Sequence, residues 1–347
     1  MRFYNVIHKH YCGIDLHARN MYTCVLDQEG KILLHRDLPT TPAVFLKAIA
    51  PFRESLVVAV ECIFTWYWLA DLCAREGIDF VLGHALYMKA IHGGKAKNDR
   101  IDALKIATLL RGGMLPQSYV YPPEMRSTRD LLRRRLTLVR QRGQLLAHIQ
   151  NTHHQYNLPT PKARINYRCN REGIAEQFSD PSVFESVSSD IELAGHYDLL
   201  IKDLELFLTQ KAKTHDPQNF FRLRSIPGVG RVLAMTMLYE IHEIERFERV
   251  QNFASYARLV KCEKSSSGKR LATGGAKIGN VHLKWAFSEA AVLFLRANPP
   301  AQKFVEKLRK KHGKAKALSI LAHKLGRAVY FMMKQKRPFS LEAFRIA

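Results

Sequence analysis

The stretch Lys95-Ala96-Lys97-Asn98-Asp99-Arg100-Ile101-Asp102-Ala103 places two carboxylates three residues apart where a helix begins. Residues at i and i+3 share one helical face, so both acids can point at one spot. Asp99 also suits a helix N-cap, and Leu104, Ile106, Ala107, Leu109 and Leu110 supply an apolar side. By itself the pattern describes a capped surface helix. Its weight changes upstream, where Asp15 and Glu61 each end an apolar, strand-like run.

Working outward, three strands are expected over Tyr11 to Leu16, Met21 to Leu26 and Lys31 to Leu38, with a turn at Asp27-Gln28-Glu29-Gly30. A helix over about 41–52 follows, then Leu56-Val57-Val58-Ala59-Val60 before Glu61, the composition of a strand buried on both faces. A helix over about 67–76, a strand over 79–83 and the helix opened by Asp99 complete the module. Three meandering strands followed by alternating helices and strands is the order of the ribonuclease H-like (RuvC-like) α/β fold. In it the first strand lies centrally with the fourth beside it, which would gather Asp15, Glu61, Asp99 and Asp102. Two carboxylates about 4 Å apart repel by roughly 4 kcal/mol at an effective dielectric of about 20, so four in one site require cations. Oxygen ligands select Mg²⁺ or Mn²⁺, and a metal pair about 3.5–4 Å apart serves phosphodiester chemistry.

Of the 347 residues, 54 are Lys or Arg against 31 Asp or Glu, a net charge of +23, while 47% are hydrophobic. That balance describes a folded protein with an anionic polymer as partner rather than a disordered basic tail. No export signal and no apolar run of membrane-spanning length is present, so a cytoplasmic protein is expected, acting at the nucleoid. The cysteines Cys12, Cys24, Cys62, Cys73, Cys169 and Cys262 form no Cys-x-x-Cys pair and read as buried thiols. His148, His153 and His154 lack companions at a metal-site spacing and read as solvated or RNA-facing.

Tyr121-Pro122-Pro123 marks a boundary. From Met125 to about Asn151 leucines recur at helical spacing, opposite Arg126, Arg129, Arg133, Arg134, Arg135, Arg140 and Arg142. With only Asp130 nearby in sequence, these arginines repel one another unless an anion lies against them, which points to a nucleic-acid contact. Periodicity lapses over 158–189, where a loop or weakly ordered insertion is expected, and a second long helix is expected over 190–213. The two helices suit an antiparallel pair or a coiled-coil dimer contact. Gly228-Val229-Gly230 ahead of an apolar helix resembles a helix-hairpin-helix turn that lets backbone N–H groups approach a phosphate; a plain interhelical turn is the alternative. Glu263-Lys264-Ser265-Ser266-Ser267-Gly268-Lys269-Arg270, then Gly274 to Asn280 with Lys277, reads as a phosphate-binding loop. A serine nucleophile there needs an activator, and no acid–base partner lies nearby in sequence.

Gly13-Ile14-Asp15, Val60-Glu61, Asn98 to Ala103, Ser225 to Gly230, the Ser265 loop and Lys277-Ile278-Gly279-Asn280 occur together and in order. The set resembles the DEDD transposases of bacterial insertion sequences, which include pilin-gene invertases and bridge-RNA-guided recombinases, and it covers nearly the whole chain. The resemblance implies a RuvC-like domain over 1–123, a helical coiled-coil linker over 124–213, and a mostly α-helical transposase domain over 214–347 bearing a catalytic serine. It implies that Asp15, Glu61, Asp99 and Asp102 hold Mg²⁺, and that Ser265, or Ser266 as second choice, attacks DNA to give a 5′-phosphoserine link. It also implies donor and target DNA and an element-encoded noncoding guide RNA as partners; a dimer or tetramer on DNA is further expected. Cys62-Ile63-Phe64-Thr65 stands where many relatives have Ala-Thr-Gly, and Arg258-Leu259-Val260-Lys261 where Gly-Leu-Thr-Pro is usual. The alternative function is a hydrolytic RuvC-like nuclease or junction resolvase using water, with no covalent intermediate.

Overall fold

The computed structural model describes residues 2–91, 98–161, 163–267, 269–274, 278–296 and 298–344, with backbone alone at 90, 262–266 and 269–274. The chain divides into two compact units, Met1–Pro123 and Glu124–Ala347.

The first unit is built on five strands, β1 (His10–Leu16), β2 (Asn20–Leu26), β3 (Ile32–Pro39), β4 (Leu56–Glu61) and β5 (Asp79–Gly83), in spatial order β3-β2-β1-β4-β5. The first three are antiparallel neighbours. β4 lies parallel to both β1 and β5, pairing Tyr11 with Val57 and Ile14 with Val60. A mixed sheet with its first strand central and its fourth alongside is consistent with a ribonuclease H-like domain.

Helices cover both faces. Residues Cys12, Ile14, Leu16, Val58 and Val60 pack with Phe45 and Ile49 of α1 (Pro42–Ile49) and Leu69 and Leu72 of α2 (Tyr67–Arg75). The alternate residues Tyr11, Val57 and Ala59 face the other way, where α3 (Ala85–Ile91) supplies Met88 and α4 (Asp99–Arg111) supplies Ile106, Leu109 and Leu110. Strand residues of period two thus separate into two cores. Asn98, rather than Asp99, caps α4: its side chain accepts from the backbone N–H of Ile101 at 2.8 Å, which leaves Asp99 as the first helical residue.

The second unit opens with α5 (Pro123–Gln155) and α6 (Pro181–His215). Helix α6 begins nine residues before the expected start, because Asp180 accepts from the N–H groups of Ser182 and Val183 and Pro181 occupies the first turn. The segment before it is no weakly ordered loop. Ile165, Ile174, Ala175 and Phe178 form a buried cluster with Leu146 and Ile149 of α5 and Val187 and Ala194 of α6. Arg171 is buried beneath it, donating to the Ile165 and Asn166 carbonyls at 2.8 and 3.3 Å.

Helices α7 (Pro217–Arg224), α8 (Arg231–Ile241), α9 (Val250–Tyr256), α10 (Val281–Phe294), α11 (Pro299–His312) and α12 (Lys314–Lys334) share one large apolar core, in which Phe220, Tyr239, Phe253, Phe287 and Phe294 are fully or almost fully buried. The Ser-rich stretch, read from sequence as a loop, forms an antiparallel hairpin of β6 (Cys262–Ser266) and β7 (Lys269–Gly274). Its register shifts between Lys264 and Ser265.

Candidate metal site and its basic surroundings

Asp15 is the penultimate residue of β1, and one step beyond the pairing of Ile14 with Val60 the register brings it level with Glu61, on the face that α4 covers. Gly13 is what lets that helix come close. A Cβ there would lie 2.3 Å from the Ala107 nitrogen and 2.5 Å from the Ala103 oxygen, so any side chain would push α4 off the strand. With the helix seated, its first turn carries Asp99 and Asp102 to the end of β1. The positive end of the helix macrodipole favours two carboxylates there.

Asp15 and Asp99 meet around His17. Its Nε2 lies 3.5 Å from Asp15 Oδ2 and 3.6 Å from Asp99 Oδ2, and ligand atoms of the three residues all fall within 4.8 Å of one another. Among the described residues this is the group of acids and histidines close enough to share an ion. Atoms on opposite sides of an ion bound at about 2.1 Å are about 4.2 Å apart, so a small side-chain rotation suffices to close the set, and its oxygen-rich character suits a hard divalent cation. Asp102 lies one turn along α4, its Oδ1 3.4 Å from Lys105 Nζ, while Glu61 is half-buried at the strand end. Burial pushes the Asp15 carboxyl above its usual range, and the charges of Asp99 and Asp102 push it further, against the pull of His17. His17 is missing from the sequence-derived set, although Asp-x-His at a strand end puts both side chains on one face.

The arginines of α5 differ in their surroundings. Arg126 and Arg129 are buried. Arg133 makes two 2.7 Å bonds to Glu240 of α8, Arg135 pairs with Glu205 of α6, and Arg142 donates to Asp198 of α6 at 2.5 Å. The anion that sequence alone placed outside the protein is, for these three, a carboxylate from another helix. Arg134 and Arg140 are exposed. His148 pairs with Asp190, and His153 is buried, its ring nitrogens on the Ile149 carbonyl and Gln177 side chain, so it is neither solvated nor RNA-facing. Cys62 and Cys169 are exposed, contrary to the expectation of buried thiols, whereas Cys12, Cys24 and Cys73 are buried.

Gly228 has φ +80°, and a Cβ there would lie 2.6 Å from the Leu293 carbonyl carbon; its close approach is to the α10 backbone. Gly230 precedes α8 with open space around it. Gly279 and Asn280 are held by the protein itself. Arg258 Nε donates to the carbonyls of Ile278 and Gly279 at 2.9 Å. Asn280 caps α10 and donates to Glu240 at 2.7 Å. Arg258 has φ +54°, in the left-handed region that glycine takes freely. The side chains of Ser265, Ser266, Lys269 and Arg270, and all of Lys277, lie outside the described residues.

A family model for the DEDD transposases of IS110-type elements, described as a transposase, matches residues 12–157. A second, described as "Transposase IS116/IS110/IS902 family", matches residues 221–306. The transposase for insertion sequence element IS1111A of Coxiella burnetii is 23% identical over 345 residues, spanning 94% of this chain and 90% of that protein. The class is therefore a transposase, an enzyme of DNA transposition and recombination. More particularly, the chain belongs to the IS110 family of DEDD transposases. No helix among the described residues is long and apolar enough to cross a membrane.

Proposed function

We propose that this transposase cuts and rejoins donor and target DNA through a 5′-phosphoserine intermediate, with Asp15, Glu61, Asp99 and Asp102 holding Mg²⁺ or Mn²⁺. The observation that carries the metal site is the meeting of Asp15 and Asp99, from different elements, at His17. A bound divalent ion would supply charge stabilisation at the phosphate and at the oxygens being exchanged. Asp15, half-buried and crowded by like charge, is driven to share a cation, and His17 keeps Asp15 and Asp99 facing each other in the meantime.

The Ser265 hydroxyl is the proposed nucleophile, by resemblance to the family. Its Oγ bonds to phosphorus as the bond from phosphorus to the 3′-oxygen breaks; the serine gives up its proton and the 3′-oxygen takes one up to leave as a hydroxyl. Attack by a 3′-hydroxyl reverses the exchange, so the ester retains the bond energy and rejoining needs no ATP. The register shift immediately before Ser265 supports a special role, since bulges concentrate beside active sites. A noncoding RNA from the element as guide, a dimer or tetramer as the working state, and nucleic-acid contacts through Arg134, Arg140, Gly228, Gly230, Lys269, Arg270 and Lys277 belong to the same reading.

The test is a denaturing gel of the protein incubated with end-labelled substrate DNA and Mg²⁺. Wild type should give a protein–DNA adduct that survives denaturant, and Ser265→Ala should give none. An adduct that persists in Ser265→Ala and vanishes in Ser266→Ala moves the role to Ser266. Metal-dependent nicking by wild type with no adduct would establish the hydrolytic alternative instead.

A further inference from the structure

Much of the positive charge on α5 is neutralised within the protein, but that on α11 is not. Between Lys303 and Lys316 the chain carries seven lysines and arginines and one acid, Glu306. The apolar side of α11 is turned inward: Ala301 is fully buried, Val305 packs on the core, and Phe304 lies beneath Lys324 of α12. Lys303, Lys307, Lys310 and Lys311 follow at i, i+4, i+7 and i+8, which puts them on one stripe on the opposite side, and all four are exposed. Lys314 and Lys316, also exposed, continue the charge into the first turn of α12.

An ordinary solvated helix face alternates signs, and lysines near a helix C-terminus are favoured by the macrodipole. The macrodipole accounts for Lys310 and Lys311 in the last turn of α11, but neither effect accounts for Lys303, Lys307, Lys314 and Lys316. The acid Glu306 sits on the flank, 3.6 Å from Arg309, and among the described residues no acid pairs with the lysines of the stripe. Lys314 and Lys316 stand at a helix N-terminus with no acid in its first turn, where the dipole opposes a cation. From Lys303 to Lys310 the axial rise is about 10 Å, which spans about three phosphates of one strand at about 3.4 Å each.

We propose that the exposed face of α11, continued by the start of α12, binds the phosphate backbone of a nucleic acid. The contact is to backbone rather than to base edges, because flexible point-charge lysines dominate the stripe. None of these lysines belongs to the carboxylate set or to the serine hairpin, so the proposal stands or falls independently of the phosphoserine reading.

The experiment is fluorescence anisotropy with the full chain in EDTA, titrating salt, on two probes, a short DNA duplex and an RNA hairpin. Four released counterions contribute a slope of up to about 3.6 in log K against log salt. The quadruple variant Lys303→Gln, Lys307→Gln, Lys310→Gln, Lys311→Gln should therefore flatten the slope by about 3 on at least one probe. Wild type would then lose up to about 150-fold more affinity than this variant between 50 and 200 mM salt. The probe with the larger change identifies the strand that lies here. Glu306→Gln should tighten binding to that probe, a gain that damage to the fold would not produce. Slopes within one unit of wild type on both probes would overturn the proposal. So would an equal flattening per charge by Lys202→Gln, Lys211→Gln, Lys213→Gln on α6, which would trace the effect to net charge alone.

Discussion

Replacing Asp15 with Asn should make the protein more stable without metal and less responsive to it. The ligand atoms of Asp15 and Asp99 lie within 4.8 Å, and Asp15 is only 15% exposed. Two unit charges at about that distance repel by roughly 3 kcal/mol at an effective dielectric of about 20. His17 between them and the exposure of Asp99 reduce this, leaving a gain of about 1–2 kcal/mol for the variant, or about 4–8 °C in the unfolding midpoint of a unit this size. The sign follows from the raised carboxyl of Asp15. A folded-state pKa above the unfolded value penalises the native state as pH rises through that window, so the penalty is complete at neutral pH and absent at strongly acid pH. Differential scanning fluorimetry in EDTA at pH 7 and pH 4 should show the variant's advantage shrinking at the lower pH. Mn²⁺ at about 100 times its dissociation constant should then stabilise wild type by about 2.7 kcal/mol and the variant by clearly less. A variant less stable than wild type in EDTA, or an identical response of both proteins to Mn²⁺, would refute the reasoning.

Two other perturbations test the framework around the site. Gly13→Ala puts a methyl group 2.3 Å from the Ala107 backbone nitrogen and should cost about 2–3 kcal/mol by displacing α4; the surviving folded protein should show a reduced Mn²⁺-induced midpoint shift, measured by the same fluorimetry. Glu240 is 1% exposed, and although burial raises its pKa, its bonds with Arg133 and Asn280 hold it below the usual carboxylate range. Its contribution is present above the unfolded pKa and lost as pH falls through the lowered folded one. Glu240→Gln should therefore destabilise by about 1–3 kcal/mol at pH 7, with the gap to wild type closing on acidification in urea titrations.

The sequence by itself determined the strand and helix order of the first unit, because apolar alternation and the five-residue run before Glu61 leave few other arrangements. It also determined the family, through motifs spaced along the whole chain. The sequence misplaces two helix starts, by one residue and by nine: Asn98 rather than Asp99, and Asp180 rather than a residue near 190, cap their helices by side-chain bonds to nearby N–H groups. Long-range pairing was not legible. Nothing near Arg133 in sequence announces Glu240, more than a hundred residues away, so a row of arginines reads as an external anion site until the fold brings carboxylates to it. His17 joins Asp15 and Asp99 only once α4 has settled on Gly13, and the lysines of α11, which pair with no acid among the described residues, stand out only against the paired arginines of α5. Charge in a sequence is a count, whereas its neutralisation depends on distance, and folding alone sets distances between remote residues.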